Sequence, residues 1–377
     1  MIIATLLEQG NETRVAITPN AAKHYIKSGF EVLIEKNAGL TAGFSDQEYE
    51  HVGVHINKDK KKILEKANVL LCVNEPEPKT LAGLSPGALV IGHIDNDLQS
   101  KLVTWCLEKQ ITLLSMNLIP RISRAQSMDS LSSQANLAGY RAVLEATNQF
   151  QRAIPMMMTA AGMIQPAKVL ILGAGVAGLQ AIATAKRLGA VVYAFDVRRA
   201  AKEQVESLGA EFIEVSQEHD SETKGGYASE TSEEYKKLQA ELIDKYAKLS
   251  DIVISTALIP GRKAPILLYK KTVEQMKPGS VVVDLATVRG GNCEVSTMDE
   301  TKKHGEVTIV GLSNMAGLIP TTASELYANN LVHLINLLAS APPTIEFNPK
   351  DEIIQQAIVC HQGTYLPFQQ NKETQNA

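Results

Sequence analysis

A short polar stretch directly follows an apolar run that has the pattern of a buried strand. Residues 120–140, PRISRAQSMDSLSSQANLAGY, come after ITLLSMNLI and combine arginines, a glutamine, an aspartate and five serines. An exposed loop explains the polarity but not this mixture of amide, carboxylate and guanidinium. Helix capping is one explanation, in which Asp129 and the serines cap a helix that begins near Ser132. The residue types alone leave capping and ligand binding both open.

A glycine-rich turn is the strongest chemical signal in the sequence. VLILGAGVAGLQAIATAKRLGAVVYAFD has the G-x-G-x-x-G spacing at Gly173, Gly175 and Gly178. The turn follows an apolar strand and opens a helical pattern over 176–188, which is the context of a dinucleotide-binding site. There the first glycine permits a tight turn, the second lets the backbone approach a pyrophosphate, and the third lets helix and strand pack closely. The helix N-terminus then faces the negative charge of the phosphates.

An acidic residue at the end of the next strand predicts which dinucleotide binds. Asp196 lies 18 residues after Gly178, where a carboxylate accepts hydrogen bonds from the adenosine ribose and repels a 2′-phosphate. The sequence therefore favours NAD over NADP. Arg198 and Arg199 work against this preference, because an arginine near this position accommodates a 2′-phosphate. A glycine turn that binds no nucleotide is the alternative.

Short apolar strands alternate with helical patterns on either side of these motifs. The strand candidates are FEVLIE, ANVLLCVN, ALVIGH and ITLLSMNLI, followed by KVLILG, VVYAFD, EFIEV, DIVISTA, SVVVDLA and EVTIVGL. Such alternation is typical of parallel βαβ units with helices on both faces of the sheet. Thr18, Pro19 and Gly29 mark one of the helices by an N-cap, a first-turn proline and a glycine stop.

The length of 377 residues corresponds to two domains of ordinary size. The pattern ANLAGYRAVLEATNQF is long enough for a helix that connects them, and residues 321–339 predict an amphipathic closing helix. We expect an α/β protein with two Rossmann-like domains, each with a parallel sheet, separated by a nucleotide-binding cleft. The N-terminal domain comprises residues 1–134 and 319–377, and the NAD(H)-binding domain comprises residues 135–318.

Two segments lack these patterns. Residues 216–234, SQEHDSETKGGYASETSEE, are too polar to form a core and predict a long mobile loop. The residues beyond about Pro342 lose periodicity and predict a tail or linker.

The composition narrows the class of protein. Hydrophobic residues make up 45% and charged residues 21%, which is typical of globular rather than disordered chains. The 37 basic against 41 acidic residues give a net charge of −4, so a small-molecule ligand fits better than nucleic acid or anionic lipid. Cys72, Cys106, Cys293 and Cys360 lack metal-ligand spacing and predict reduced thiols. Neither a signal peptide nor a membrane span in the apolar stretch 153–185 is predicted.

Several stretches together resemble the NAD(H)-binding alpha subunit of the proton-translocating nicotinamide nucleotide transhydrogenases, nearly from end to end. They are NETRVAITP, GFEVLIEKNAGLTAGFSD, PRISRAQSMDSLSSQANLAGYRA, VLILGAGVAGLQAIATAKRLGA, AFDVRR, GGYASE, STALIPGR and VVVDLATVRGGNCE. RAQSMD followed by LSSQAN is highly specific to this family, whereas the glycine motif alone is not.

The resemblance implies a role for the polar stretch and for several nucleotide contacts. The polar residues of the family's nicotinamide loop correspond to Arg121, Gln126, Asp129 and Ser132 of this sequence. The implied nucleotide contacts are Val176 at the pyrophosphate turn, Asp196, Val197 and Arg198 at the adenosine ribose, Gln239 and Leu258 elsewhere, and Gly226 with Tyr227 as a lid.

Hydride transfer between two nicotinamides explains why such a loop needs no general acid or base. A hydride leaves C4 of one ring and arrives at C4 of the other, so the reaction depends mainly on alignment of the rings. The carboxamide of the ring offers one acceptor and two donors, which Arg121 and Asp129 are suited to match. Gln126 can bridge toward a ribose or toward the partner nucleotide.

The resemblance also implies partners and a location. The family forms dimers and docks on a membrane subunit that carries protons, beside a domain that holds NADP(H). Because no membrane helix is predicted, we expect the split form of the enzyme, with those parts on separate polypeptides. This chain would then be cytoplasmic and held at the inner membrane by its partners, where NADH bound to it reduces NADP⁺ bound on a partner subunit.

Two other functions remain open. Alanine dehydrogenases are similar in ETRVAITP and in the glycine motif, and amino-acid oxidation needs a carboxylate-binding group and a proton acceptor, for which Arg14 and His93 are candidates. Asn74 stands where that family has the lysine of a K-E-P motif, which argues against this activity, and a lone histidine is more often structural. The other alternative is a non-catalytic NAD-sensing module, which looks the same as a hydride-transfer subunit without its partner.

Overall fold

The chain alternates strands and helices throughout residues 1–215, 233–258, 262–339 and 341–366, which are the residues that the computed structural model describes. The strands are β1 Ile2–Thr5, β2 Glu31–Glu35, β3 His55–Asn57, β4 Val69–Asn74, β5 Leu89–His93, β6 Thr112–Ser115, β7 Met157–Thr159, β8 Gly162–Ile164, β9 Lys168–Leu172, β10 Val191–Phe195, β11 Glu211–Phe212, β12 Ile252–Ser255, β13 Val281–Asp284, β14 Thr301–His304, β15 Val307–Val310, β16 Ile358–His361 and β17 Thr364–Tyr365. The α-helices are α1 Pro19–Lys27, α2 Asp46–His51, α3 Lys60–Lys66, α4 Lys101–Glu108, α5 Ser130–Gln149, α6 Val176–Arg187, α7 Ala201–Ser207, α8 Glu233–Leu249, α9 Lys270–Val273, α10 Pro320–Leu338 and α11 Glu352–Ala357.

These elements form two compact units. The first contains residues 1–134 and the described residues from 317 onward, and the second contains the described residues of 135–316. The division therefore falls inside α5, the helix that the sequence predicts as a connection.

The first unit holds an eight-stranded sheet in the order β17-β16-β6-β5-β4-β1-β2-β3. Strands β1 to β6 pair in parallel, and their order is that of a doubly wound sheet with a switch point between β1 and β4. Ile3 and Leu71 lie in one buried apolar cluster, while Ala4 and Leu70 lie in another. Successive residues of a strand thus contribute to opposite faces, and both faces of the sheet are covered.

The second unit holds a seven-stranded sheet in the order β11-β10-β9-β12-β13-β15-β14. All neighbouring strands pair in parallel except β14, which runs antiparallel to β15. Val169 and Ile171 belong to one apolar cluster, and Leu170 and Leu172 belong to the other. The predicted fold class, two Rossmann-like units built on parallel sheets, is confirmed.

The C-terminal segment is not the tail or linker that its lack of periodicity predicts. Residues 352–365 form α11, β16 and β17, and β16 pairs antiparallel with β6 at the edge of the first sheet. Asp351 caps α11 by accepting a hydrogen bond from the N–H of Ile353 at 2.9 Å, and Ile353, Ile354 and Ala357 are buried. Elements of two to six residues are too short to show a period, so tertiary contacts decide their structure.

Several local predictions from the sequence hold. Thr18 caps α1 by accepting from the N–H of Ala21 at 3.3 Å, and the helix ends shortly before Gly29. The predicted connecting and closing helices are α5 and α10. All four cysteines are buried free thiols. No helix in the described residues has both the length and the apolar character needed to cross a bilayer.

Other local features were missed or lie outside the described residues. Strands β1, β3 and β14 and the hairpin of β7 and β8 were not predicted, because they are short or exposed. The candidate strand EFIEV contributes only Glu211–Phe212. The predicted mobile loop, residues 216–234, lies almost wholly outside the described residues.

Candidate functional site

The glycine-rich turn of the second unit connects the end of β9 to the start of α6. Gly173 has a φ of +99°, a conformation that favours glycine, and a Cβ there would lie 2.7 Å from Oγ1 of Thr256. A Cβ on Gly178 would lie only 1.8 Å from the carbonyl oxygen of Gly173. The turn is therefore tight, and α6 approaches it so closely that a side chain at position 178 requires the backbone to move.

The middle glycine has the opposite environment. Gly175 is the N-cap residue of α6, and no atom lies within 4 Å of the place that its Cβ would occupy. The first N–H groups of a helix have no partner inside the helix and attract anions. Open space beside these donors fits the pyrophosphate of a dinucleotide.

The carboxylate of Asp196, at the end of β10, joins the glycine turn to Arg198. Its Oδ2 accepts from the N–H of Ala174 at 2.7 Å and from Nη2 of Arg198 at 2.9 Å. Its Oδ1 accepts from the backbone N–H and the Nε of Arg198 at 2.8 and 3.0 Å. These four bonds match the acceptor capacity of a carboxylate, and the Asp196 side chain is only 7% exposed. A ribose that bonds to Asp196 must therefore displace part of the guanidinium of Arg198. The alternative is a ribose that bonds to Arg198 itself.

Two residues that the sequence motifs did not indicate stabilise this region: Thr256 contacts the glycine turn, and Asn292 contacts the chain that follows β12. Thr256 donates from Oγ1 to the carbonyl oxygen of Gly173 at 3.0 Å. Asn292 is fully buried; its Oδ1 accepts from the N–H of Ala257 at 3.0 Å, and its Nδ2 donates to the carbonyls of Ala257 and Pro265 at 2.9 and 2.8 Å. The side-chain amide of Asn292 thus takes the place of a strand partner beside the site.

A buried carboxylate at the end of β13 has a structural role. Asp284 is fully buried and accepts from the N–H groups of Ala286 and Cys293, both at 2.9 Å, and from the hydroxyl of Ser296 at 2.6 Å. Its Oδ1 also accepts from the hydroxyl of Ser255 in β12 at 3.3 Å, and its other bonds lead to the loop that follows β13. The acceptors of Asp284 are therefore used inside the protein.

The remaining predicted nucleotide contacts are distributed over the second unit. Val197 follows β10 and is partly buried, while Val176 and Leu258 expose their side chains at the start of α6 and after β12. Gln239 lies on α8 and is partly buried. Gly226 and Tyr227, the predicted lid, lie outside the described residues.

The polar stretch of the first unit forms a short 3-10 helix, Ser123–Met128, followed by α5. Asp129 caps α5: its Oδ1 accepts from the N–H of Ser132 at 2.9 Å, and its Oδ2 accepts from the Ser132 hydroxyl at 2.5 Å. Arg121 and Gln126 are exposed. The capping explanation thus describes Asp129 and Ser132, and it leaves lone pairs on both carboxylate oxygens for a ligand.

Arg14 is buried in a polar cluster at the carboxyl ends of β1 and β4, whose other members are Glu12, Gln134 and the exposed Asn74. Its Nε and Nη2 donate to the two oxygens of Glu12 at 2.8 and 2.7 Å, and its Nη1 donates to Oε1 of Gln134 at 2.8 Å. Asn74 donates to Glu12 at 2.8 Å. Burial opposes ionisation of Glu12, but the hydrogen bonds and charge of Arg14 outweigh it and lower the pKa of Glu12 to about 2. The guanidinium is thus already paired with an internal carboxylate.

Two further titratable groups of this region are partly buried. His93, at the end of β5, forms a hydrogen bond between Nε2 and the Ser130 hydroxyl at 2.8 Å, and burial lowers its pKa to about 3. Glu8 accepts from the N–H of Val73 at 2.6 Å, and burial raises its pKa to about 7. A neutral, hydrogen-bonded His93 agrees with its interpretation as a structural histidine.

Comparison with known proteins connects both units to one family. The models of the Alanine dehydrogenase/PNT N-terminal and C-terminal domains match residues 6–138 and 142–367. In Rickettsia prowazekii, the protein named as the first part of NAD(P) transhydrogenase subunit alpha is 46% identical over 97% of this chain and 96% of its own length. The protein of the same name from Rhodospirillum rubrum is 46% identical over 94% of each chain.

A solved structure shows the same similarity. The crystal structure of transhydrogenase from Sinorhizobium meliloti superposes with a TM-score of 0.85 at 42% identity, covering 97% of this chain and 99% of that chain. Alanine dehydrogenase of Bacillus subtilis is a more distant relative, 28% identical over 87% of this chain and 83% of its own length. The chain belongs to the NAD(P) transhydrogenase alpha-subunit family.

Proposed function

We propose that this chain is the NAD(H)-binding subunit of a proton-translocating transhydrogenase and that it takes part in hydride transfer from NADH to NADP⁺ on a partner subunit. The observation that carries the proposal is the 46% identity, over nearly the whole chain, to the two transhydrogenase alpha-subunit proteins of Rickettsia prowazekii and Rhodospirillum rubrum. The open space at Gly175 beside the start of α6 supports it independently. Bound NADH supplies the hydride, and the residues of this chain bind and orient the nucleotide.

In this proposal the second unit holds NAD(H). The nucleotide-binding residues are Gly173, Gly175, Val176, Gly178, Asp196, Val197, Arg198, Gln239 and Leu258. The pairing of Arg198 with Asp196 supports NAD(H) over NADP(H), because a guanidinium engaged by a carboxylate through two hydrogen bonds attracts a 2′-phosphate less strongly. NADP(H) is bound by the partner subunit.

The polar loop of the first unit orients the nicotinamide. Asp129, already fixed by Ser132, is a pre-oriented acceptor for the carboxamide NH₂ group. Arg121 donates to the carboxamide oxygen, and Gln126 bridges toward a ribose or the second nucleotide. These groups contribute alignment, which is the main requirement of a hydride transfer that needs no protein acid or base.

A second copy of this chain is one expected partner, and an exposed hairpin supports a homodimer. Strands β7 and β8 form a two-stranded sheet of their own, which is marginally stable without further contacts. The hairpin region exposes several methionines, among them Met158 at 80% and Met156 at 61%. Exposed apolar clusters of this kind mark interaction surfaces, and methionine adapts well to them.

The other expected partners are membrane subunits, one of which binds NADP(H). The two relatives are named as the first part of an alpha subunit, so they belong to larger assemblies. We extend this to the present chain, which would lie at the cytoplasmic face of the inner membrane through those subunits.

Reconstitution with an NADP(H)-binding partner tests the proposed function. We expect reduction of NADP⁺ by NADH when both proteins are present, and no reduction of NAD⁺ by L-alanine with this chain alone. Binding of NADH and of the partner without exchange of reducing equivalents would instead support the NAD-sensing module. Reduction of NAD⁺ by L-alanine would support an alanine dehydrogenase.

A further inference from the structure

We propose that Arg124, Asp351 and Asn330 are positioning residues that fix the polar loop on which Arg121, Gln126 and Asp129 are carried. The inference rests on the proposed function, because it assigns the loop to nicotinamide orientation. In addition, the C-terminal segment after α10, which carries Asp351, helps to orient the nicotinamide ring. All of these residues lie within the first unit.

The loop has little internal structure of its own. Its 3-10 helix, Ser123–Met128, is six residues long, and 3-10 helices have weaker hydrogen-bond geometry than α-helices. Ala125 and Met128 are buried, whereas Arg121 and Gln126 are exposed. Two buried side chains hold the loop against the core but do not by themselves determine the direction of the exposed ones.

The first anchor is a two-fold ion pair between the loop and the C-terminal segment. Nη1 and Nη2 of Arg124 donate to Oδ2 and Oδ1 of Asp351 at 2.7 and 2.9 Å. Paired parallel bonds between a guanidinium and a carboxylate restrict direction as well as distance. Asp351 is itself held in place because it caps α11 through the N–H of Ile353, and α11 buries its apolar residues in the core.

The second anchor comes from α10. The side chain of Asn330 donates from Nδ2 to the carbonyl of Ser127 at 2.7 Å and accepts from the hydroxyl of Ser133 at 2.8 Å. Asn330 is buried and thus joins the 3-10 helix to the first turn of α5. The anchors contact positions 124 and 127, which lie on either side of Gln126, and the Ser133 bond lies next to Ser132.

If the Arg124–Asp351 pair only stabilised the fold, its loss would lower the rate of hydride transfer only by lowering stability. Arg124 is 51% exposed and Asp351 is 14% exposed, and ion pairs at the surface contribute little to the free energy of unfolding. Loss of this pair should therefore leave the melting temperature almost unchanged. The rate of hydride transfer should be far more sensitive than the melting temperature to loss of this pair, because a displacement of about 1 Å in the reacting groups can reduce a rate about 100-fold.

The test uses the full chain with an NADP(H)-binding partner and compares Arg124→Gln, Arg124→Lys and Asp351→Asn. Asparagine retains an oxygen for capping α11 but cannot form the charged pair, and lysine keeps the charge but cannot form the fork. Lys79→Gln is the matched control, since it breaks an exposed pair with Glu77 elsewhere in the same unit. The readouts are kcat, the Kd for NADH, the melting temperature and the fluorescence of bound NADH, which reports on the nicotinamide ring.

We expect kcat to fall about tenfold in Arg124→Gln and Asp351→Asn, with a smaller loss in Arg124→Lys. The double variant should lose no more than either single variant, because the two residues act as a pair. The Kd for NADH and the melting temperature should stay close to those of the Lys79→Gln control, while the fluorescence of bound NADH changes. A kcat equal to that of the control, or a loss of kcat that follows a loss of stability, would overturn the inference. Absence of hydride transfer by the wild-type chain would instead overturn the proposed function, and this inference with it.

Discussion

The carboxyl ends of the parallel strands differ between the two sheets. In the first unit, polar side chains at and after β1, β4 and β5 bond to one another, to the backbone or to α5, as Glu8, Asn74 and His93 do. In the second unit, β9 continues into a glycine turn, and no atom lies within 4 Å of the place that a Cβ on Gly175 would occupy. One switch point is occupied by side chains, and the other leaves space beside the start of a helix.

The two sheets share the strand order of a doubly wound fold, so the order of strands cannot explain this difference. It arises from the residues at the strand ends. Polar side chains that satisfy each other form a stable cluster, whereas glycines leave room and unpaired N–H groups for an anionic ligand. A fold therefore offers a position for a site, and a few residues decide whether a ligand can use it.

Gly178→Ala should give the largest effect on the second unit. The new Cβ would approach the carbonyl of Gly173 to 1.8 Å, and overpacking against backbone typically costs about 1–3 kcal/mol or more. We expect a lower free energy of unfolding and loss of NADH binding, measured by chemical denaturation and calorimetry. Wild-type stability in this variant would show that α6 does not approach the turn as described.

Glu8→Gln should change how the stability of the first unit depends on pH. Because burial raises the pKa of Glu8 from 4.5 to about 7, the stability associated with its neutral form is complete below pH 4.5 and is lost as the pH rises through 7. A shift of this size corresponds to at most about 3 kcal/mol. We expect the glutamine variant to be more stable than the wild type at pH 8 and similar at pH 5, by chemical denaturation at each pH.

The neighbouring Glu12 does not interfere with that measurement. Its pKa is lowered to about 2, so its contribution to stability is present above pH 4.5 and is lost only as the pH falls through 2. Equal stabilities of the wild type and Glu8→Gln across pH 5 to 8 would mean that Glu8 ionises freely in the folded protein.

Gly175→Ala is the matched control for Gly178→Ala and separates binding from folding. The added methyl group meets no atom within 4 Å, and Gly175 has a negative φ that alanine tolerates. We expect the free energy of unfolding to change by less than about 1 kcal/mol, while NADH affinity falls about tenfold because the methyl group occupies space needed by the pyrophosphate. Unchanged affinity for NADH would place the nucleotide elsewhere.

Asp129→Ala should lower stability only slightly and change turnover clearly. Loss of an N-cap typically costs about 1 kcal/mol, and here it removes both bonds to Ser132. Asp129→Asn keeps an acceptor for the cap and serves as the control for capping. If capping is the whole role of Asp129, the asparagine variant should transfer hydride as the wild type does; a loss of kcat in both variants supports nicotinamide orientation.

Features encoded by neighbouring residues were predictable from the sequence. The glycine spacing and the position of Asp196 are local patterns, and the turn with its helix follows from them. The long buried strands appear as continuous apolar runs, as in KVLIL of β9. Asp129 was predicted as a cap or a ligand contact, and the structure shows the cap while leaving the ligand contact a prediction.

Features that depend on distant residues were not predictable. Arg124 pairs with a residue 227 positions away, and Asn292 substitutes for a strand partner at Ala257 through its side-chain amide. Neither interaction leaves a periodic or spaced signal in one sequence. The same reason explains the C-terminal segment, whose short elements are stabilised by their contact with β6 rather than by their own propensity.

Calorimetric titration of the purified chain with NADH and with NADPH tests whether this chain binds NAD(H). We expect NADH to saturate a single class of site per chain and NADPH to bind distinctly more weakly, because the carboxylate of Asp196 engages Arg198 and would repel a 2′-phosphate. Tighter binding of NADPH would contradict the assignment of the nucleotide. Binding of neither would mean that the glycine turn is structural only and that this chain is not the NAD(H)-binding subunit.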